Sequence, residues 1–317
     1  MKMTPTRNII RFGPNDELFG VLHLPDSSLI THHSSLPGML FCPPFGEEAK
    51  NAYRVYHDLA LRMAERGWAA LRFDYYGTGN SLGSFDEFSP ARACSDIRSA
   101  IGILQQHGVT RIGLLGLGLG ATLAFEIAVN ELSSYRVSEL PNNPPAEKPA
   151  ALPPQLNNST TQQLTNYLVL WQPIVSGEEF YKLNVRQQLF RQKLIRKKTS
   201  EVQSPESKVP SPQPPALSPQ PIIDLDGYPV RKQTAEEIRK LNLVPAGASA
   251  RTAIPATLLL QISFSQTMAA DLQALIDSCN PPPQTQCIVG EPFWKRLGAV
   301  DCSAVMEATM GWVDGVK

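Results

Sequence analysis

No histidine follows position 107 in this 317-residue chain; all five (His23, His32, His33, His57, His107) precede it. Any site assembled from the later two thirds of the sequence must work without imidazole. Cysteine is equally sparse. Cys42, Cys94, Cys279, Cys287 and Cys302 are scattered without C-x-x-C spacing, which argues against a zinc site, and their odd number fits a reducing compartment better than a disulfide framework. There is no excess charge: 29 basic residues balance 29 acidic ones, so nothing attracts nucleic acid electrostatically. Met1 to Arg7 lacks the apolar run of a signal peptide, and the expected location is the cytoplasm. The longest apolar stretch, Ile112 to Val129, is interrupted by glycines and Glu126, so it reads as a buried strand–turn–helix and not as a membrane span.

What is present is a regular alternation of strand and helix patterns, with 42% hydrophobic residues to build a core. Asn8–Phe12 and Leu18–Leu24 read as a hairpin, and Leu36–Cys42 as a strand buried on both faces. A stiff loop, Pro43 to Glu48, precedes a helix over Ala52–Arg66, then a strand over Trp68–Phe73 and a helix over Pro90–Gln106. Later strands are predicted at Tyr167–Val175, Thr257–Phe264 and Thr285–Val289, with helices at Phe180–Lys198, Thr234–Leu243, Met268–Cys279 and Ser303–Val316. Ile222–Arg231 reads as a hairpin turning at Asp226-Gly227, and Thr234-x-x-Glu237 as a capping box. The alternation implies a mostly parallel sheet flanked by helices, with right-handed crossovers. Two proline-rich tracts, 139–163 and 200–221, cannot bury enough apolar surface to offset their ordering entropy and are expected as surface insertions. Residues 1–176 and 251–317 would form the core, and 177–250 a cap.

The chain is organised around Gly113-Leu114-Leu115-Gly116-Leu117-Gly118-Leu119-Gly120-Ala121, a strand running through a glycine-rich turn into a helix. This is the frame of the nucleophile elbow G-x-S-x-G, with Gly118 where the serine would stand. With Cys42-Pro43-Pro44-Phe45-Gly46-Glu47-Glu48, Phe73-Asp74-Tyr75-Tyr76-Gly77-Thr78-Gly79-Asn80-Ser81 and Leu168-Val169-Leu170-Trp171-Gln172-Pro173, the chain resembles the α/β-hydrolases. More narrowly it resembles the exosortase A system-associated hydrolase 2 group. The resemblance implies an α/β-hydrolase-like sheet with a helical cap, and a bacterial cytoplasmic role linked to exopolysaccharide and cell-envelope biogenesis.

In that fold the triad runs serine, acid, histidine along the chain. The acid seat falls near Ser265-Gln266-Thr267 and the histidine seat near Gly290-Glu291-Pro292-Phe293-Trp294, so all three seats read as vacated. The expectation is a pseudoenzyme with no catalytic serine. Its pocket, at Phe45, Gly46, Gly118 and Leu119, would keep the backbone donors of an oxyanion hole for a small-molecule or acyl ligand. The plainer alternative is that Gly118 relaxes a turn whose catalytic reason is gone. A rival enzyme reading, a hydrolase or acyltransferase of non-standard mechanism, would draw on Cys42 or on the acid–base candidates Glu47, Glu48 and Glu291. Asp74, Tyr75 and Tyr76 read as a structural turn. Gly116 to Ala121 also matches G-x-G-x-x-A, but the segment about 20 residues on, where a ribose-binding acid belongs, is proline-rich; neither cofactor nor metal is expected. A protein partner could dock on the proline-rich tracts, as on a scaffold, or on the basic cap helix carrying Arg186, Arg191, Lys193, Arg196, Lys197 and Lys198.

Overall fold

A computed structural model describes residues 5–26, 36–138, 165–201, 222–244, 251–295 and 300–316. The proline-rich stretches 139–163 and 202–221 lie outside the described residues. Strands β1 (Thr6–Phe12) and β2 (Leu18–Leu24) form the expected antiparallel hairpin. Then follow β3 (Leu36–Cys42), α1 (Glu47–Glu65), β4 (Ala69–Asp74), α2 (Pro90–Gln106), β5 (Val109–Leu117), α3 (Leu119–Ser138) and β6 (Tyr167–Trp171). Next come α4 (Gly177–Glu201), the hairpin β7 (Ile222–Leu225) and β8 (Tyr228–Arg231), and α5 (Lys232–Lys240). The chain closes with β9 (Thr252–Ala253), β10 (Ala256–Ser263), α6 (Ala270–Ser278), β11 (Cys279–Asn280), β12 (Gln284–Val289) and α7 (Ser303–Val316).

Eight strands form one sheet in the order β1-β2-β4-β3-β5-β6-β10-β12, antiparallel as far as β4 and parallel beyond it. Successive side chains on a strand point to opposite faces. Leu40, Leu114, Leu168 and Leu259 therefore pack with α2, α3 and α6, while Met39, Phe41, Leu115, Val169 and Leu260 pack with α1 and α7. Both faces are covered, which is why β3, β5 and β6 read as almost continuous apolar runs. Among the described residues no helix is long and apolar enough to cross a membrane.

Three local expectations are corrected. Helix α1 starts at Glu47, not Ala52, because Gly46 (φ +61°) turns the chain and two acidic residues then favour the helix N-terminus. The strand over Tyr167–Val175 stops at Trp171, where Gln172 takes φ +45°. Thr234 and Glu237 do not form a capping box; α5 starts earlier, with Arg231 at its N-cap. Inside the helix, Thr234 Oγ1 donates to Phe88 O (2.8 Å) and Glu237 Oε2 accepts the Ala91 N–H (3.3 Å), which joins α5 to the start of α2.

Among the described residues between β6 and β9, none extends the central sheet. The helices and hairpin of this stretch fold over the C-terminal ends of the parallel strands, tied by Gly177 N–H to Leu241 O (2.8 Å), Leu243 N–H to Val175 O (3.0 Å) and an Arg231–Asp86 ion pair (3.1 Å).

Candidate functional site at the glycine elbow

The turn between β5 and α3 is sharp and carries a glycine, Gly118, at its tip. Gly118 has φ +55°, its N–H donates to Trp171 O (3.0 Å), and its carbonyl accepts from Ala121 and Thr122 N–H. Thr122 Oγ1 also accepts the Ile174 N–H (3.0 Å), so the loop after β6 is anchored to the same turn. The flanking glycines are required by packing. A Cβ on Gly116 would collide with the backbone at Gly120 and Ala121, and one on Gly120 with the carbonyls of Cys42 and Pro43. The frame survives because three backbones meet there.

The space beside Gly118 belongs to Glu48. A Cβ at position 118 would lie 3.0 Å from Glu48 Oε2, so this carboxyl is the nearest side chain to the turn. Glu48 lies in the first turn of α1, surrounded by protein yet open to a cavity on one side. Burial pushes its pKa up to about 7, with Lys295 opposing the rise and Asp226 adding to it. Glu47 lines the same cavity but is engaged by its neighbours. Its Oε2 accepts from Lys50 Nζ (2.9 Å) and Tyr228 OH (2.7 Å), and those bonds hold its carboxyl below the usual range.

The cavity has a volume of about 840 Å³. Glu48, Gly118 and Phe45 line it together with Gln172, Ile262 and Trp294. Arg186, Phe190 and Arg191 of α4 line it as well, and Arg191 pairs with Asp226 (3.1 Å). Gly46 supports this arrangement indirectly: its positive φ and missing side chain let the Tyr228 ring settle 3.0 Å from where a Cβ would be. Leu119 is buried and opens α3, where helix geometry leaves its N–H without an intrahelical acceptor.

No protein-family model matches the chain, and no curated protein matches its sequence. Solved structures do match. Est1E from Butyrivibrio proteoclasticus, with ferulic acid bound, superposes at TM-score 0.55 and 14% identity over 94% of each chain. The esterase domain of a Rhodothermus marinus protein matches at TM-score 0.53 and 16% identity, over 98% of this chain and 100% of that one. Alpha/beta hydrolase domain-containing protein 10 from mouse matches at TM-score 0.52 and 12% identity, again over 98% and 100%. The fold is that of the α/β-hydrolases. At these identities the likeness is one of fold.

An α/β-hydrolase places its acid and histidine on loops after later strands, with an oxyanion hole at the elbow. Here the loop after β10 closes on itself: Gln261 Nε2 donates to Thr267 O (2.9 Å) and Thr267 N–H to Ser265 Oγ (3.0 Å). Ser263 reaches the cavity; Ser265, Gln266 and Thr267 do not. After β12 the cavity is lined by Pro292, Trp294 and Lys295, and Trp294 O accepts from Asn51 Nδ2 (2.8 Å). Glu291 is not among the lining residues. None of the described histidines lines the cavity either: His23 is on β2, His57 on α1 and His107 at the end of α2. Cys42 is fully buried and not among the lining residues, and burial pushes its thiol far above the usual range. Asp74 binds the Asn80 N–H (2.9 Å) within its own turn, as a structural residue does.

Of the residues the sequence singles out, Phe45, Glu47, Glu48 and Gly118 line this cavity, while Gly46, Leu119, Cys42 and Glu291 are not among its lining residues. Gln172, Trp294 and the α4 arginines escaped the sequence reading as a set. One signal was available for Glu48. Once α1 starts at Glu47, positions 48, 52, 55 and 59 share the inward face with Ala52, Val55 and Leu59, and Glu47 does not.

Proposed function

We propose that this α/β-hydrolase-fold protein holds a small acyl or other carbonyl-bearing ligand at the glycine elbow and carries out no serine-type catalysis. Gly118 carries the reading: the seat of the nucleophile has no side chain, while the elbow around it is intact. A serine hydroxyl needs an adjacent base, and no described histidine lines the cavity. The Phe45 and Leu119 N–H groups stand where the fold supplies its oxyanion donors, and they act on a ligand carbonyl in this role. By its resemblance to exosortase A system-associated hydrolase 2, the protein serves exopolysaccharide or cell-envelope biogenesis in the cytoplasm as an accessory component. Residues 177–250 act as the cap of that site, and protein partners dock through the basic face of α4 or the proline-rich tracts.

The test is treatment of purified protein with a fluorophosphonate probe, with calorimetric titration of acetophenone-type ketones alongside. The expected result is no labelling of the wild type or of Gly118→Ser, together with measurable ketone binding. Stoichiometric labelling of the wild type, or absence of ketone binding, overturns the reading.

A further inference from the structure

We propose that Glu48 acts as a general base that activates water against the carbonyl of an activated ester or thioester held at the glycine elbow. The inference rests on the carbonyl-site reading above and goes beyond it, because it assigns turnover to a site that has lost its serine.

Three features place the chemistry. The Glu48 carboxyl stands 3.0 Å from where a Cβ on Gly118 would be, and the absence of that side chain leaves Glu48 the nearest side chain to the elbow. Phe45 and Gly118 line the same cavity, and Gly118 leads directly into α3, so a carbonyl held by the Phe45 and Leu119 N–H groups lies close to Glu48. Glu48 also lines the cavity, where water or a ligand can supply the donors its carboxyl needs.

The charged and titratable groups around it come from several elements: Glu47 and Tyr56 from α1 itself, Glu179, Arg186 and Arg191 from α4, Asp226 and Tyr228 from the β7–β8 hairpin, Asp271 from α6, and Lys295 from the segment after β12. None of these is a histidine, so Glu48 is both acceptor and donor of the transferred proton. In the first step a lone pair of water attacks the carbonyl carbon, the water proton passes to the Glu48 carboxylate, and the C=O pair moves onto the oxygen. In the second, the C=O re-forms, the bond to the leaving group breaks, and the Glu48 proton goes to the departing oxygen or sulfur. Water and ester become acid and alcohol or thiol, with Glu48 regenerated. Phenolate and thiolate leave the tetrahedral intermediate far more readily than alkoxide or amide anions, which selects phenolic esters and thioesters over alkyl esters and amides.

The experiment follows p-nitrophenyl butyrate, phenyl butyrate, a butyryl thioester and ethyl butyrate with wild type, Glu48→Gln and Glu48→Asp. Circular dichroism confirms folding, and acetophenone titration reads occupancy of the same cavity. Turnover of the first three esters is expected, with kcat/KM rising to a plateau above pH about 7. Glu48→Gln should lower it by about 100-fold or more while keeping ketone affinity, and Glu48→Asp should retain part of the rate. Ketone binding without turnover overturns this inference and leaves the carbonyl-site reading standing; loss of both overturns the two together. Full activity in Glu48→Gln, or an acyl–Glu48 adduct by mass spectrometry, also overturns the water route.

Discussion

At Gly120 the first turn of α3 passes so near the end of β3 that a methyl group has no free space, because what it meets is backbone. At Gly118 the obstacle is softer: the far end of a Glu48 side chain at 3.0 Å, added to a φ of +55°. Gly120→Ala should therefore lower unfolding free energy by roughly 2–4 kcal/mol, and Gly118→Ala by about 1–2 kcal/mol. Urea titrations of the two variants give that order; equal costs would mean the elbow is looser than its packing implies. Cys42 offers a second check at this scale. Its thiol is fully buried and held protonated, so it should stay unreactive toward 5,5′-dithiobis(2-nitrobenzoate) until the protein unfolds. Rapid native modification at Cys42 would restore it as a candidate nucleophile.

At the scale of elements, the contact between α5 and α2 holds α5 in place. Thr234 is not the helix start its pattern suggests; it lies in the first turn of α5 and uses its hydroxyl across the contact, on Phe88 O. The capping-box pattern misled because a Thr-x-x-Glu spacing also suits a helix face that meets another helix's N-terminus. Thr234→Val keeps the shape but removes the donor, and should cost about 1–2 kcal/mol by leaving the buried carbonyl without this partner. Thermal denaturation reads the loss; no change would show that the joint is held by its apolar contacts, Ala235 and Ile238 among them.

Across the whole molecule, two buried groups give the folding equilibrium opposite pH dependences. His23 is pushed down to about 4 by burial first, and then by Arg72 and His57. As pH falls from its ordinary 6.5 toward 4, the unfolded chain gains a proton that the folded chain refuses, and stability is lost. Glu48 runs the other way. As pH rises from 4.5 to about 7, the unfolded chain releases a proton that the folded chain retains, so stability is lost with rising pH. At about 1.4 kcal/mol per pH unit the ceiling is roughly 3 kcal/mol for each group, less for Glu48, which keeps contact with the cavity. In the wild type the two slopes largely offset one another between pH 4.5 and 6.5. His23→Leu should expose a stability that falls with rising pH across that window, and Glu48→Gln one that rises with pH. Melting temperatures at stepped pH test both, and parallel curves for the three proteins would refute the assignment.

Backbone period and local chemistry made much of the molecule readable in advance. The apolar runs of β3, β5 and β6 announced a sheet covered on both faces, and α2 and α7 matched their predicted limits because capping and turn signals act within a few residues. The glycine run from Gly116 to Gly120 and the lack of any histidine beyond position 107 are likewise properties of the chain as written. The choice among the glutamates was not. Glu47 and Glu48 are neighbours in sequence, and one residue of helical phase, set by where Gly46 starts α1, turns one toward Tyr228 and the other toward Gly118. The cavity joins residues 45, 118, 172, 190 and 294, which approach one another only through strand register and the fold-back of α4. Local pattern specifies each element; the meeting of side chains far apart in sequence is a property of how those elements pack.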